Sequence, residues 1–521
     1  MSSVARHAAH APAGTAAAGR WEDHLGRPVA GRTPAAGSVE RLNRALDHAR
    51  TAEIAAEVVA LAATDRGGSS LAAALASWIG NREGGLLDLA LVALADCARA
   101  IPGFDPARAA LPWAQAAVLA AERLASRPRL DPPADATPHS DLAPGSDPVA
   151  ATSTLDRLRD LVASRQAGAA EAEVHAALAA GASPATVQAW LLHLAAAHPG
   201  DAGVGAIAAV KLADLAAIAG ESAIAPLWPR LARALAQRPE ALPSSLGHLA
   251  RSAAWRSRLD AVAEDPEKAR FFSEPKFRVH LVDGAGDAAL RATWKALEFG
   301  LPHALLAGSL TLAAAERVLR FDPRHEADPT VAEGGADAAH LLLLAATVRQ
   351  LLGRVPVPIW ADLLLFAVGL VHASAAMDAP ARDRPGLPEP EPVHQTWDHG
   401  PEIARIVAHL QAGNSVRSIA VLRAYFLLVL PDQPLCRQLL EAAMADRFGS
   451  ALDQAQAIAA MAAAVDGFHA LQASPHRELV LCAALHALAA ARTPRNTWQL
   501  AQSVLDGLPA VRHLVGPGPQ P

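Results

Sequence analysis

The chain alternates long apolar runs with short polar breaks, and within the runs Ala and Leu recur three and four positions apart. That spacing lays one stripe of a helix against a core. The balance of Ala and Leu over β-branched and aromatic residues favours helix over strand. Four stretches are alike: "RALDHARTAEIAAEVVALAATD" from Arg44, "AALAAGASPATVQAWLLHLAAAHPGD" from Ala176, "KALEFGLPHALLAGSLTLAAAERVLRFD" from Lys295 and "AHLQAGNSVRSIAVLRAYFLLVLPD" from Ala408. Each begins at the end of one helix, with Leu46, Leu178, Leu297 or Leu410 before the turn, and then enters a second, apolar helix. Gly181, Gly300 and Gly413 suit the left-handed position that closes a helix. Ser183 can cap the next one, and Pro184 suits its first turn; Gly300 with Pro302, and Gly413 with Ser415, read the same way. A second helix–turn–helix follows in each unit, after a variable loop: "HPGDAGVG" in unit two, residues 319–340 in unit three and "LPDQPLCRQLLEAAMADRFGS" in unit four.

The pattern therefore predicts an all-α fold, an array of about four similar four-helix units built from helical hairpin pairs, with no substantial sheet. The period, roughly 120 residues, exceeds that of short-repeat solenoids. The expected organisation is a disordered segment over 1–38, unit one over 39–126, a Pro-rich linker over 127–152, unit two over 153–272, unit three over 273–377, a second Pro-rich linker over 378–396, unit four over 397–515 and a tail over 516–521. The linkers contain "RPRLDPPADATPHSDLAPGSDP" and "DAPARDRPGLPEPEPVHQ", breaker-rich stretches that read as surface connections.

Composition narrows the function classes. A net charge of −6 over 521 residues argues against a nucleic-acid partner, which calls for a basic face. Only Lys211, Lys268, Lys276 and Lys295 are lysines; with so much Ala, this arginine bias points to a GC-rich bacterial genome. Cys97, Cys436 and Cys482 are far apart and form no metal or disulfide framework, so a cytoplasmic setting is expected. The N-terminal residues lack a secretory apolar core. "IWADLLLFAVGLVHASAAM" (359–377) is long enough to span a membrane but carries Asp362 and His372, so a buried helix and no membrane span are expected.

Candidate chemistry gathers in "LRFDPRHEADPTVAEGGADAAH" (319–340). His325 and His340 offer imidazole nitrogens, Asp322 and Glu326 offer oxygens, and His198 and Asp201 of the unit-two loop could join them around a transition metal ion. Lys211, Arg320 and Asp322 are candidate contacts for a small organic ligand. The plainer reading is turn chemistry at Asp322-Pro-Arg-His and a hydrogen-bonded histidine entering a helix. In "WDHGPEIARIVAHLQAG" (397–413), Glu402 and His409 sit where capping and the helix dipole favour them. No Fe–S ligand set, H-E-x-x-H, G-x-S-x-G, P-loop or dinucleotide motif is present.

The 319–340 stretch resembles a bacterial all-helical family associated with Rieske-type ferredoxin domains. That family carries an R-F/Y-D element, an acidic loop and a segment like E-G-W-x-D-V-T-H. The matching residues are Arg320, Phe321 and Asp322, then Glu333 to His340, with Gly335 and Ala339 in place of the Trp and Thr. "GVGAIAAVK" (203–211) is similar to a second family element; Lys211 is kept, and Val204 stands at the histidine position. The likeness covers about residues 155–375 and no Rieske domain. It implies an oxidoreductase-related helical protein that binds a metal or small organic ligand between units two and three. The alternative is a non-catalytic helical scaffold or protein-interaction module, with a protein partner or a second copy packed on its Ala-rich hairpins.

Overall fold

The computed structural model describes residues 37–63, 68–105, 108–130, 148–237, 263–285, 287–326, 335–382, 384, 386–392, 399–445, 450–489 and 501–505. Of the described residues 79% are helical, with no strand and only two isolated bridges. The all-α expectation holds. In chain order the helices are α1 (Ser38–Asp47), α2 (Thr51–Ala62), α3 (Ser69–Gly80), α4 (Leu89–Ala100), α5 (Ala110–Leu124), α6 (Pro148–Ala163), α7 (Ala167–Ala179), α8 (Pro184–Ala197), α9 (Val204–Ala219), α10 (Glu221–Ile224) and α11 (Trp228–Gln237). They continue as α12 (Glu274–Asp283), α13 (Ala288–Phe299), α14 (His303–Arg320), α15 (Gly335–Leu351), α16 (Val357–Ala373), α17 (His399–Gln411), α18 (Ser415–Leu427), α19 (Asp432–Met444), α20 (Ala451–Ala470) and α21 (Glu478–Leu488).

Local chemistry sets the boundaries. Gly181, Gly300 and Gly413 all take positive φ at the repeated turn, and in unit one Ala49 takes it with φ 48°. The Ser183 hydroxyl accepts from the Thr186 N–H to start α8, and Pro184 opens the first turn. At α18 the cap is Asn414, whose side chain accepts from Arg417 N–H, and not Ser415 as the sequence suggested. An amide oxygen one position earlier reaches the same orphan donors.

Four long helices, one from each repeat, close a ring. α4 packs on α9, α9 on α15, α15 on α20, and α20 back on α4. α9 shows why this works: apart from Lys211 and Asp214 it is apolar, and Gly205, Ala206, Ala208 and Ala209 let neighbours approach closely. Around the ring the helices do not pair uniformly as two hairpins per unit. α7 packs chiefly on α11, and α14 on both α15 and α21. α3, α6, α10, α12 and α19 fall outside the four helices of the sequence repeat, so the four-unit array remains a sequence reading rather than a set of equivalent blocks. One contiguous apolar core runs from Leu42 to Leu505.

Three expectations change. The stretch read as a variable loop in unit four is largely helix, α19, which buries Leu435, Cys436, Leu439 and Ala442 on one face. The first linker opens as a clasp: Pro128 O accepts from Glu83 N–H, Leu130 N–H reaches Asn81 O at 2.9 Å, and Arg129 meets Asp47 at 2.8 Å. It ends inside α6, which begins at Pro148. The second linker begins deep in the fold, since the Asp378 side chain is only 3% exposed. Segments 1–36, 131–147 and 506–521 lie outside the described residues. α16 runs through the apolar stretch and buries Trp360 and Leu363 to Phe366, each worth about 1.5–3 kcal/mol of transfer energy. Val357–Met377 is long and apolar enough to cross a membrane, and 67% of it is buried among other helices.

Candidate functional site

The unit-two loop and the start of α15 do meet. His340 Nε2 lies 2.8 Å from the Ala202 carbonyl oxygen. Ala202 holds φ 52°, and Gly203 beside it φ 79°. A Cβ on Gly203 would stand 2.5 Å from Leu344 Cδ1 of α15, so only glycine lets the loop touch that helix. His198 ends α8, with its backbone N–H on Leu194 O. The side chains of Asp201 and Glu326, and residues 327–334, lie outside the described set. Among the described residues no three His, Cys, Asp or Glu side chains converge to hold a metal ion.

The other candidates go elsewhere. Lys211 is buried in the ring, where its Nζ meets Asp96 Oδ1 of α4 at 2.5 Å. Arg320 grips Asp283 at 2.5 Å and also pairs with Glu316 one turn earlier. The Asp322 carboxylate accepts from the Arg324 side chain and backbone, bonds that hold it below the usual carboxylate range. His325 stands 6.1 Å from the Phe321 ring.

The Arg320-Phe321-Asp322 element has a structural task that the sequence did not show. Its backbone forms a short bridge with the chain after α16: Asp322 N–H reaches Met377 O at 3.0 Å, and Ala379 N–H reaches Arg320 O at 2.8 Å. Beneath it, Arg317 is 1% exposed and binds Asp378 Oδ2 at 2.5 Å, Val371 O at 2.8 Å and Val282 O. Arg384 meets the same Asp378 oxygen at 3.3 Å. A residue with five fixed donors suits a site where three chain segments must be tied together.

The ring carries a cluster of opposed charges, of which Lys211 and Asp96 are buried. Arg99 of α4 bridges Asp466 of α20 at 2.9 Å and Asp214 of α9 at 3.4 Å. Gln350 of α15 donates to Asp466 at 2.9 Å, and Arg349 reaches Thr311 of α14 at 3.2 Å. The cations Arg99, Lys211 and Arg349 balance the anions Asp96, Asp214 and Asp466. Burial pushes the Asp96 carboxyl up to about 6 against the pull of Lys211, and its Oδ2 has no hydrogen-bond partner. Sequence reasoning picked Lys211 alone of these six. The signal was available: all six interrupt apolar, Ala-rich helices.

No family model matches the chain, and no curated protein or solved structure is similar enough to count as a match. The site must therefore be judged on its chemistry. Burial lowers the affinity of His175, His193, His303 and His486 for a proton. Burial raises the Cys97, Cys436 and Cys482 thiols, which makes them poor nucleophiles. A surface cleft of about 400 Å³ lies between the turns that precede α19 and α21, walled by Phe426, Val429, Leu430 and Pro431. Its polar groups answer one another: Arg477 meets Asp432 at 2.9 Å, and Glu478 faces Arg423 at 3.5 Å.

Proposed function

We propose that the protein is a non-catalytic helical scaffold, a frame that presents surfaces to a protein partner. One observation carries this reading: Lys211, Arg320, Asp322 and His340 each spend their polar groups on this chain itself. A binding site keeps convergent polar groups for its ligand; here three cations of the ring, Arg99, Lys211 and Arg349, are matched by three carboxylates, Asp96, Asp214 and Asp466. Exposed Val416, Leu427 and Val429 on and after α18 supply apolar surface of the kind a partner covers.

The second reading, an oxidoreductase-related site for a metal or small organic ligand between units two and three, is favoured by the contact of His340 with the Ala202 loop. Elemental analysis of the purified full chain, before and after chelation, separates the two when paired with thermal denaturation. The scaffold reading expects sub-stoichiometric metal and an unchanged midpoint. A full equivalent of a transition metal, with a midpoint that drops on chelation and a loss of metal in His340→Ala, overturns it.

A further inference from the structure

Residues 386–392, Gly-Leu-Pro-Glu-Pro-Glu-Pro, lie along the α17–α18 pair without helical structure. Pro388 and Pro390 fix φ and push the residues before them toward extended backbone, so this stretch cannot join either helix. It is instead held as a peptide would be. The Arg423 side chain donates to Pro388 O, and Glu391 N–H donates to Ala420 O of α18 at 3.2 Å. Arg405 of α17 pairs with the Glu391 carboxylate while holding Glu402 at 2.8 Å. Leu387 packs against the core.

We propose that the α17–α18 face is a recognition groove for acidic, proline-rich extended peptides, which the chain occupies with its own residues 386–392. This rests on the scaffold reading and names the partner's chemistry. The contacts use what such a peptide offers: the carbonyl ahead of Glu389, the N–H that proline leaves free at Glu391, the Glu391 carboxylate and one apolar anchor, Leu387. Two arginines set the sign, and the segment supplies Glu389 and Glu391 with no cation. Extended proline-rich chain loses little entropy on docking, which is why short contacts suffice to recognise it. The hold is also light. Glu389 and Pro392 are exposed, and a single backbone-to-backbone bond fastens the segment to α18. A tethered segment competes at an effective concentration on the order of millimolar, so an outside peptide must displace it.

The experiment uses the full chain with residues 386–392 replaced by Gly and Ser at equal length, its folding checked by circular dichroism and thermal denaturation. A fluorescent peptide of residues 386–392 is expected to bind this variant at least about tenfold more tightly than it binds the wild-type chain. Adding Arg423→Ala to the variant, or giving the peptide Glu389→Lys and Glu391→Lys, is expected to remove most of that binding. Equal affinity for both chains, or none for the folded variant, overturns the proposal. If the replacement prevents folding, hydrogen exchange on the wild-type chain decides: excess peptide must speed exchange at Glu391, and unchanged exchange at saturating peptide overturns the proposal. A metal-loaded chain would sink the scaffold reading whatever the peptide does, whereas a metal-free chain that ignores the peptide sinks the groove alone.

Discussion

Two buried carboxylates are served very differently. Asp96, at the centre of the ring, is 1% exposed and has one cation, Lys211. Asp378, at the edge of α14, is 3% exposed and has Arg317, with Arg384 and Arg320 at 3.3 and 3.8 Å. Burial raises the proton affinity of both, opposed by Lys211 in one and first by Arg317 in the other. Asp96 thus depends on a single direct pair, which joins two helices that are far apart in sequence. At the edge, several arginines share one carboxylate, and only Arg317 is deeply buried. Asp378 has redundant direct partners, and Asp96 has one.

The largest effect is expected where redundancy is lacking. Lys211→Met leaves Asp96 buried without a counter-charge and should cost about 3–5 kcal/mol in urea denaturation, the usual penalty for breaking a buried pair from one side. At the edge the arginines should separate by burial. Arg317→Met should cost about 3 kcal/mol, since two backbone carbonyls and Asp378 lose a charged donor. Arg384→Ala, a third exposed, should change stability by less than about 1 kcal/mol. Equal costs for the two arginines would erase the comparison.

The central pair should also show in pH dependence. The Asp96 carboxyl is raised from 3.8 to about 6, so between these values the folded chain holds this proton more often than the unfolded chain does. Its contribution to stability therefore improves as pH falls through about 6 and is least favourable above it. The cost of Asp96→Asn, measured against wild type, should be smallest above pH 7 and grow as pH falls through about 6, where wild type gains the stability of its retained proton and the variant does not. A cost that is flat from pH 5 to 8 would contradict the assignment.

Smaller effects are expected at the seam between units two and three. Gly203→Ala should cost about 1–3 kcal/mol, since its φ of 79° is left-handed and Leu344 must yield. His340→Ala should cost about 1 kcal/mol for one hydrogen bond and leave metal content unchanged. A loss of bound metal in that variant would move the account toward a ligand site.

The helices were legible because Ala- and Leu-rich periodicity and the Gly181, Gly300 and Gly413 turns are local signals. α19 was missed because Asp432, Pro434 and Arg437 made its exposed face look like loop, while Leu435, Cys436 and Leu439 needed a packing partner to declare themselves. The site fared worse for the same reason. His340 reaches the unit-two loop through the Ala202 carbonyl, a contact made across 138 residues of chain. Lys211 was assigned to that seam as well, but the direction in which it leaves α9 depends on the ring closing, a contact with Asp96 across more than a hundred residues. Asp322 and Arg320 read as convergent ligands, yet they serve the bridge to Met377 and Ala379, which no local pattern announces.

The claim that the ring's charges are structural is tested most directly by replacing the central pair on both sides. Asp96→Leu with Lys211→Met removes both buried charges and fills similar volume, a change that is often neutral or stabilising where a pair serves only packing. Urea denaturation of the double variant should give a stability within about 1 kcal/mol of wild type, well above either single variant. A double variant as unstable as Lys211→Met alone would contradict the account.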